Sequence, residues 1–225
     1  MQGIPVVGDL MRRVYRKIRT GRQSGPVIPN SKDYWEKRYA SGIDSGVGSY
    51  GIFAEFKAKI LNAFVAKNNV KSVIEFGCGD GSQLELAAYP IYLGLDVSST
   101  VIEICRKKFT SDNTKSFQQI HEYAGATAEL ALSLDVIYHV LEDKVFDEYM
   151  RSLFAAASRF VIVYSSDTND NVGFEDTHVR HRQFSDWIST NTSGWKLKTQ
   201  IPNQYPYKGD YKTGTFADFY VYEQS

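Results

Sequence analysis

The feature that most constrains the fold is an alternation, from residue 72 onward, between short apolar segments and longer segments with helical spacing. The apolar segments have the length and near-continuous hydrophobicity of strands covered on both faces of a sheet. They lie at residues 72–76, 91–97, 117–123, 130–138 and 160–165, and the helical segments lie at 82–88, 100–109 and 144–157. Strands that alternate with helices in this way form parallel βαβ units.

The flanking segments complete this pattern. Ser31 is expected to be the N-cap of a first helix, which ends in a glycine-dotted loop at 41–51. Further helices are predicted at 52–67 and 184–190, and further strands at 195–201 and 215–222. The sum is an α/β chain with a Rossmann-like, doubly wound sheet of seven strands, mostly parallel with an antiparallel final strand, and helices on both faces.

Residues 1–30 differ from the rest of the chain. Six basic residues and no acidic one fall between residues 12 and 22, and apolar residues recur at helical spacing. We therefore predict a basic amphipathic helix over 6–19, then a linker, then one domain over 31–225. Such a helix can lie on an anionic membrane surface, or dock on its own domain or on a partner.

Composition narrows the class of protein. Lys plus Arg and Asp plus Glu each number 26, and this balance argues against a protein that coats nucleic acid. Cys78 and Cys105 have neither zinc nor redox spacing, so free thiols in a reducing compartment are expected. No apolar run approaches the ~20 residues of a membrane span, and no signal peptide is recognised. A cytoplasmic protein is expected, and contact with a membrane surface through residues 6–19 is the alternative.

Three glycines follow the first predicted strand, in the segment EFGCGDG at residues 75–81. Glycines here permit a tight turn and close approach of the backbone to a ligand. The next strand ends at Asp96, whose carboxylate can accept both hydroxyls of a ribose. A glycine loop followed by an acid at a strand end predicts a nucleoside cofactor.

Two details distinguish between nucleoside cofactors. The dinucleotide motif needs its third glycine where this chain has Ser82, and Gly81 comes one residue early. Glu75 also stands two residues before Gly77, where it is a poor neighbour for a phosphate and a good one for an amine. These details favour a cationic nucleoside without phosphate, with a nicotinamide dinucleotide as the alternative.

The segments VIEFGCGDG, GLDVS and LSLDVIYHVLED together resemble motifs of the class I S-adenosylmethionine-dependent methyltransferases. The resemblance implies S-adenosylmethionine as the cofactor and S-adenosylhomocysteine as the product. It implies that Glu75 faces the methionine amine, Asp96 the ribose, and Val97 the adenine. The residues that it implies for cofactor binding are Tyr34, Arg38, Ser49, Glu75, Gly77, Cys78, Gly79, Asp96, Val97, Glu122, Tyr123, Ser133 and Leu134.

A narrower resemblance concerns the acceptor. The segments YWEKRYASGIDSGVGSYG and HVRHRQFSDWI are similar to small methyltransferases that accompany glycosyltransferases of polysaccharide assembly. This similarity implies methylation of a saccharide hydroxyl. The alternatives are another small molecule, a protein or RNA as acceptor, or a catalytically silent module that only binds S-adenosylmethionine. The neutral charge makes nucleic acid the less favoured acceptor.

A hydroxyl acceptor benefits from a general base, and histidine is the usual choice. We expect His178 to be that base, with His181 second, because both follow the fifth strand and precede a short helix. His139 matches a family histidine that is expected to support its loop, and Asp135 should lie near the transferred methyl, where it could bind the acceptor, orient a histidine or ligate a metal. Acceptor binding is expected of Arg180, Arg182, Tyr205 and Tyr207.

Four carboxylates could in principle bind magnesium. The candidate ligands are Asp135, Asp143, Asp167 and Asp170. No compact ligand motif joins them, so no metal is expected.

Overall fold

A computed structural model describes residues 30–174 and 177–225. The predicted helix at 6–19, and with it the expected membrane contact, lies outside the described residues. The helices are α1 (Ser31–Ala40), α2 (Gly51–Lys67), α3 (Ser99–Lys108), α4 (Asp143–Ala155) and α5 (Phe184–Asn191). The strands are β1 (Ser72–Phe76), β2 (Ile91–Asp96), β3 (Lys115–Gln119), β4 (Ala128–Leu134), β5 (Ala157–Ser165), β6 (Trp195–Ile201) and β7 (Asp218–Gln224).

The strands form one seven-stranded sheet with the order β3-β2-β1-β4-β5-β7-β6. The first five strands along the chain pair in parallel, whereas β7 runs antiparallel to β5 and to β6. The chain order reverses direction between β1 and β4. This topology confirms the predicted Rossmann-like class, and it creates a crevice at the carboxyl ends of β1 and β4, where open α/β sheets bind ligands.

Each face of the sheet is covered by its own hydrophobic core. On one face, Val73 and Leu130 pack with Leu61 of α2, in a core that also includes residues of α3. On the other face, their chain neighbours Ile74 and Ala131 pack in the core that contains residues of α4 and α5. Successive side chains of a strand point to opposite faces, so the apolar runs are continuous because both faces are buried.

The helix predicted at 82–88 is wrong. Only a 3₁₀ turn, Leu84–Leu86, forms between the glycine loop and β2. The side chain of Asn62 in α2 bonds the backbone at the C-terminal end of this turn: Nδ2 donates to Leu86 O at 2.9 Å and Oδ1 accepts from Ala88 N at 2.8 Å. Pro90 then favours an extended residue before it. A helix of 82–88 would need the Ala88 N–H for its own hydrogen bond to Leu84 O, and that N–H donates to Asn62 instead.

Several predicted boundaries also shift. Asn30 is the N-cap of α1, because its side chain accepts from Asp33 N at 2.9 Å. Ser31 instead donates from Oγ to Glu142 at 2.7 Å. The strand predicted to reach residue 138 ends at Leu134, since Asp135 adopts a left-handed φ of 60°. The final strand begins at Asp218, three residues later than predicted. No helix of the described residues combines the length and hydrophobicity needed to cross a bilayer.

Candidate functional site

A cavity of about 1180 Å³ opens at the carboxyl ends of the parallel strands. The loops after β1, β2 and β4 form its floor, and α1 with the loop at 45–49 covers it. The fold thus assembles residues that lie far apart in the sequence. The predicted site residues on its wall are Tyr34, Arg38, Ser49, Glu75, Gly77, Cys78, Gly79, Asp96, Val97, Leu134, Asp135 and His178.

The glycine loop is packed too closely for side chains. Gly77 and Gly79 have left-handed φ angles of 85° and 57°. A Cβ on Gly77 would lie 2.5 Å from Val136 Cγ2, and a Cβ on Gly79 would lie 2.5 Å from Ser45 Oγ. Both the backbone angle and the space therefore require glycine, and they leave backbone exposed to a ligand.

Asp96 places a buried carboxylate at the end of β2. Its Oδ2 accepts from Gly79 N at 3.1 Å and its Oδ1 accepts from Ser98 N at 3.0 Å. Burial raises the pKa of Asp96 to about 6, and the backbone hydrogen bonds oppose this rise. Asp96 is therefore fixed in position, and each oxygen keeps a lone pair that can accept a ligand hydroxyl.

Glu75 is the second buried carboxylate of the wall. Tyr92 donates its hydroxyl to Oε2 at 2.6 Å. Within the described residues, Oε1 receives no hydrogen bond. Burial raises the pKa of Glu75 to about 7, while the Tyr92 hydrogen bond and the charge of Lys57 oppose this rise. Gln83, also on the wall, has a buried Oε1 that accepts from no described residue. This end of the cavity thus offers unused acceptors, which suit an amine.

The missing helix after β1 bears on the choice of cofactor. A dinucleotide pyrophosphate binds at the N-terminus of the helix that follows the glycine loop. Here the loop is followed by the three-residue turn Leu84–Leu86. The residues present fit a nucleoside with hydroxyl and amine donors, and they lack the helix terminus that a pyrophosphate needs.

A buried charge cluster lies beside the loop after β4. Lys57 of α2 is 1 % exposed, and its Nζ lies 2.6 Å from Asp135 Oδ2. The Tyr138 hydroxyl donates to Asp135 Oδ1 at 2.6 Å. All three side chains lie on the cavity wall. A buried ion pair contributes less stability than well-packed apolar side chains of the same size, and a left-handed non-glycine residue lowers stability, so their combination here indicates a functional position.

Sequence reasoning missed Lys57 because it lies on the apolar face of α2. Phe53 and Leu61, four residues before and after it, are both buried. A lysine at the centre of such a face is the one signal available in the sequence. It indicates a buried partner of opposite charge, but not which of the acidic residues is that partner.

His178 forms part of an aromatic stack under α1. Its ring stacks on Tyr34 at 4.6 Å on one side and on His139 at 5.0 Å on the other. His139 Nδ1 lies 3.0 Å from His178 O, so this nitrogen carries the proton that is donated. Burial lowers the pKa of His139 to about 4, and burial together with the charge of Arg38 lowers the pKa of His178. Both rings are therefore neutral at neutral pH.

The remaining predicted cofactor residues lie off the cavity wall. The Ser133 side chain is buried, with Oγ 2.7 Å from the Tyr149 hydroxyl. Glu122 accepts from Gln119 N, and Tyr123 donates its hydroxyl to Ala126 O at 2.6 Å. Ile120, two residues before Glu122, lines the cavity next to Val97.

The second candidate base and the predicted acceptor-binding residues stabilise loops or pack against other side chains. His181 is buried, with Nδ1 2.6 Å from Ser166 Oγ. Arg180 and Arg182 both pair with Asp143 and donate to Leu141 O. The ring of Tyr205 packs between those of Phe53 and Phe56. The Tyr207 ring lies 4.9 Å from the Tyr211 ring at an interplanar angle of 31°, and Tyr211 lines the cavity.

The four candidate metal ligands are separated. Asp135 pairs with Lys57, and Asp143 pairs with the two arginines. Asp167 accepts from Ser185 N, and Asp170 accepts from Val172 N. In residues 30–174 and 177–225, no three His, Cys, Asp or Glu side chains are grouped as metal ligands.

A family model described as methyltransferase domain matches residues 50–197, about two thirds of the chain. No curated protein sequence matches the chain significantly.

Solved structures share the fold at low identity. Magnesium protoporphyrin IX methyltransferase from Synechocystis PCC 6803, with bound S-adenosylmethionine, is 16 % identical with a TM-score of 0.61; the match covers 89 % of this chain and 100 % of that one. The N-methyltransferase NodS from Bradyrhizobium japonicum WM9, with S-adenosylhomocysteine, is 14 % identical with a TM-score of 0.66, covering 87 % and 99 %. The small RNA methyltransferase HEN1 is 17 % identical with a TM-score of 0.56, covering 76 % and 24 %.

Proposed function

Because the chain belongs to the methyltransferase domain family and is an S-adenosylmethionine-dependent methyltransferase, we propose that its acceptor is a hydroxyl oxygen of a saccharide. The observation that carries this proposal is the Asp135 carboxylate on the cavity wall, with the Tyr138 ring packed 5.0 Å from the Phe216 ring beside it. A sugar offers hydroxyl donors to a carboxylate and apolar ring faces to aromatic side chains. The loop segments that resemble saccharide methyltransferases support the same acceptor.

The residues at the other end of the cavity would hold the cofactor. When bound, S-adenosylmethionine supplies a methyl group on a positively charged sulfur, and this carbon is electrophilic. Asp96 would accept the ribose hydroxyls, and the free Oε1 of Glu75 would accept from the methionine amine. The backbone of Gly77 and Gly79 would pass beneath the methionine portion, and Val97 would contact the adenine.

His178 is proposed as the general base. Its ring lines the cavity, is neutral at neutral pH because burial and Arg38 lower its pKa, and receives no hydrogen bond at its nitrogens from the described residues. Asp135, which is held by Lys57 and Tyr138, would orient the acceptor hydroxyl. Alignment of this kind supplies roughly 7–11 kcal/mol, and a general base contributes about 10²–10⁴-fold in rate.

The test is transfer of labelled methyl groups to a panel of oligosaccharides. His178→Ala and Asp135→Asn are compared with wild type, and His121→Ala, an exposed histidine outside the cavity wall, is the matched control. We expect His178→Ala to lose about 10²-fold in rate while it retains S-adenosylhomocysteine binding by calorimetry. Full activity of both site variants, with binding intact, would remove these catalytic roles. Arg180, Arg182, Tyr205 and Tyr207 remain predictions for acceptor binding, and their alanine variants enter the same assay.

The same assay is run with RNA, protein and other small molecules as acceptors. The fold likeness to the small RNA methyltransferase HEN1 gives the reason for the RNA arm. Transfer to RNA or protein without transfer to any saccharide would overturn the saccharide proposal. Binding of S-adenosylhomocysteine without transfer to any acceptor would favour a catalytically silent module.

A further inference from the structure

Exposed apolar side chains gather at the mouth of the cavity. Val47 and Tyr211 both line the cavity and are 49 % and 45 % exposed. Ile43 and Ile52, which flank the loop that contains Val47, are 50 % and 46 % exposed. Single exposed apolar residues are normal, but a group at the edge of a cavity indicates a binding surface.

This edge is continuous with Asp135. The Tyr138 ring, whose hydroxyl donates to Asp135, lies 5.0 Å from the Phe216 ring. Phe216 in turn contacts Phe174 and Tyr211, each at 6.1 Å between ring centroids. An unbroken aromatic wall therefore leads from the carboxylate to the solvent.

The loop at 47–48 forms the opposite side. A Cβ on Gly48 would lie 3.0 Å from Asp135 Oδ2, so this loop passes directly over the carboxylate. Val47, the preceding residue, then projects at the mouth. We call Val47, Phe174, Tyr211 and Phe216 the apolar rim.

We propose that the apolar rim binds an apolar aglycone, an alkyl or aryl group joined to the saccharide that is methylated. The direction of the acceptor rests on the proposed function, because Asp135 is taken as the point where the hydroxyl binds. A molecule that lies along this wall with its hydroxyl at Asp135 also contacts the rim, so its polar part lies deep and its apolar part lies outward. At about 1180 Å³ the cavity exceeds the usual 300–1,000 Å³ of ligand pockets, which leaves room for this group beside a cofactor.

The proposal is tested by the binding of hexyl, octyl and decyl β-glucosides to the full chain. Calorimetry is performed below the critical micelle concentrations and with S-adenosylhomocysteine present. Each methylene that the rim buries should add to the affinity, so we expect at least a tenfold rise in affinity from hexyl to decyl glucoside. Methyl glucoside provides the reference without an apolar group.

Two rim variants and one control make the test specific. Val47→Asp and Tyr211→Ser change exposed side chains, so the fold should survive, and we expect both to abolish the dependence on chain length. Leu197→Asp is the matched control, because Leu197 is 51 % exposed and lies on β6 outside the cavity wall. It should bind as wild type does.

Affinity that does not depend on chain length, or that Leu197→Asp lowers as much as Val47→Asp, would overturn the proposal. An absence of glucoside binding to the full chain would also overturn it, whether the rim has no affinity for the alkyl group or residues 1–29 cover the rim. Methylation of free oligosaccharides with no chain-length effect would leave the proposed function and remove this inference. Chain-length-dependent binding without methylation of any saccharide would support this inference and remove the proposed function.

Discussion

Lys57→Met removes the cation beside Asp135 and keeps a side chain of similar length in the same apolar surroundings. With Lys57 Nζ 2.6 Å from Asp135 Oδ2, the charges attract by about 6 kcal/mol at an effective dielectric constant of ~20. Lys57 is 1 % exposed, so the loss of its hydration offsets a large part of this attraction. We expect a net coupling of about 2–3 kcal/mol between the two side chains.

A double-mutant cycle measures this coupling. Lys57→Met leaves the Asp135 carboxylate with the Tyr138 hydroxyl as its one donor among residues 30–174 and 177–225, and such a loss lowers the free energy of unfolding by about 3 kcal/mol. In a domain of this size the melting temperature falls by roughly 6–12 °C. Asp135→Asn combined with Lys57→Met leaves neither charge without its partner, so the double variant should recover most of the stability.

Urea unfolding of the four proteins at neutral pH gives the free energies. The matched control is Lys198→Met, because Lys198 and Glu223 pair at 2.8 Å with exposed side chains. That surface pair should contribute less than about 1 kcal/mol. If Lys57→Met is no more destabilising than Lys198→Met, the buried pair does not hold Asp135 as argued. We further expect Lys57→Met to lose methyl transfer while it still binds S-adenosylhomocysteine.

Three further predictions concern the cofactor end and the turn after it. Gly77→Ala should abolish S-adenosylhomocysteine binding, because its methyl group would lie 2.5 Å from Val136. The control is Gly125→Ala, because Gly125 has a similar φ of 84° and no neighbour within 4 Å of an added Cβ. Equal effects of the two substitutions would refute the steric argument. Burial raises the pKa of Asp96 to about 6, and the ionised carboxylate is the better acceptor for ribose hydroxyls. The affinity for S-adenosylhomocysteine should therefore be full above pH 6 and fall as the pH drops below it, and Asp96→Asn should bind weakly at every pH. A wild-type affinity that stays constant down to pH 5 would contradict this role. Asn62→Ala should lower the free energy of unfolding by about 1–2 kcal/mol, since two backbone groups of the 84–88 segment lose their partner, and an unchanged urea midpoint would show that water replaces it.

The strands were predictable because burial on both faces gives continuous apolar runs. The segment 72–76 was predicted with its observed bounds, and the two-sided packing of Val73 and Ile74 explains why. The prediction of a helix at 82–88 was wrong because the conformation of this segment depends on a contact that is distant in the sequence. Its backbone is held by Asn62, twenty or more residues earlier in the chain, and local propensity carries no information about such a contact.

The residues of the site likewise divide into those that the sequence could predict and those that it could not. Gly77 and Gly79 lie in the loop after β1 and Asp96 is the last residue of β2, so the topology alone brings them to one cavity. Lys57 comes from a helix that precedes the sheet, and its position on an apolar face resembles that of a core residue. Arg180 and Arg182 were predicted from their charge, but their side chains are positioned by Asp143, which lies 37 and 39 residues earlier in the chain.

Val136 connects the two ends of the cavity. Its side chain fills the space that a Cβ on Gly77 would need, and its backbone follows the left-handed Asp135. A shift of the glycine loop toward or away from a cofactor would therefore displace Val136, and with it the adjoining backbone of Asp135. Because Asp135 is also tied to Lys57 of α2 and lies under Gly48, such a shift is resisted by two further elements. The left-handed backbone of Asp135 and its ion pair with the buried Lys57 thus both fix the Asp135 carboxylate relative to the glycine loop.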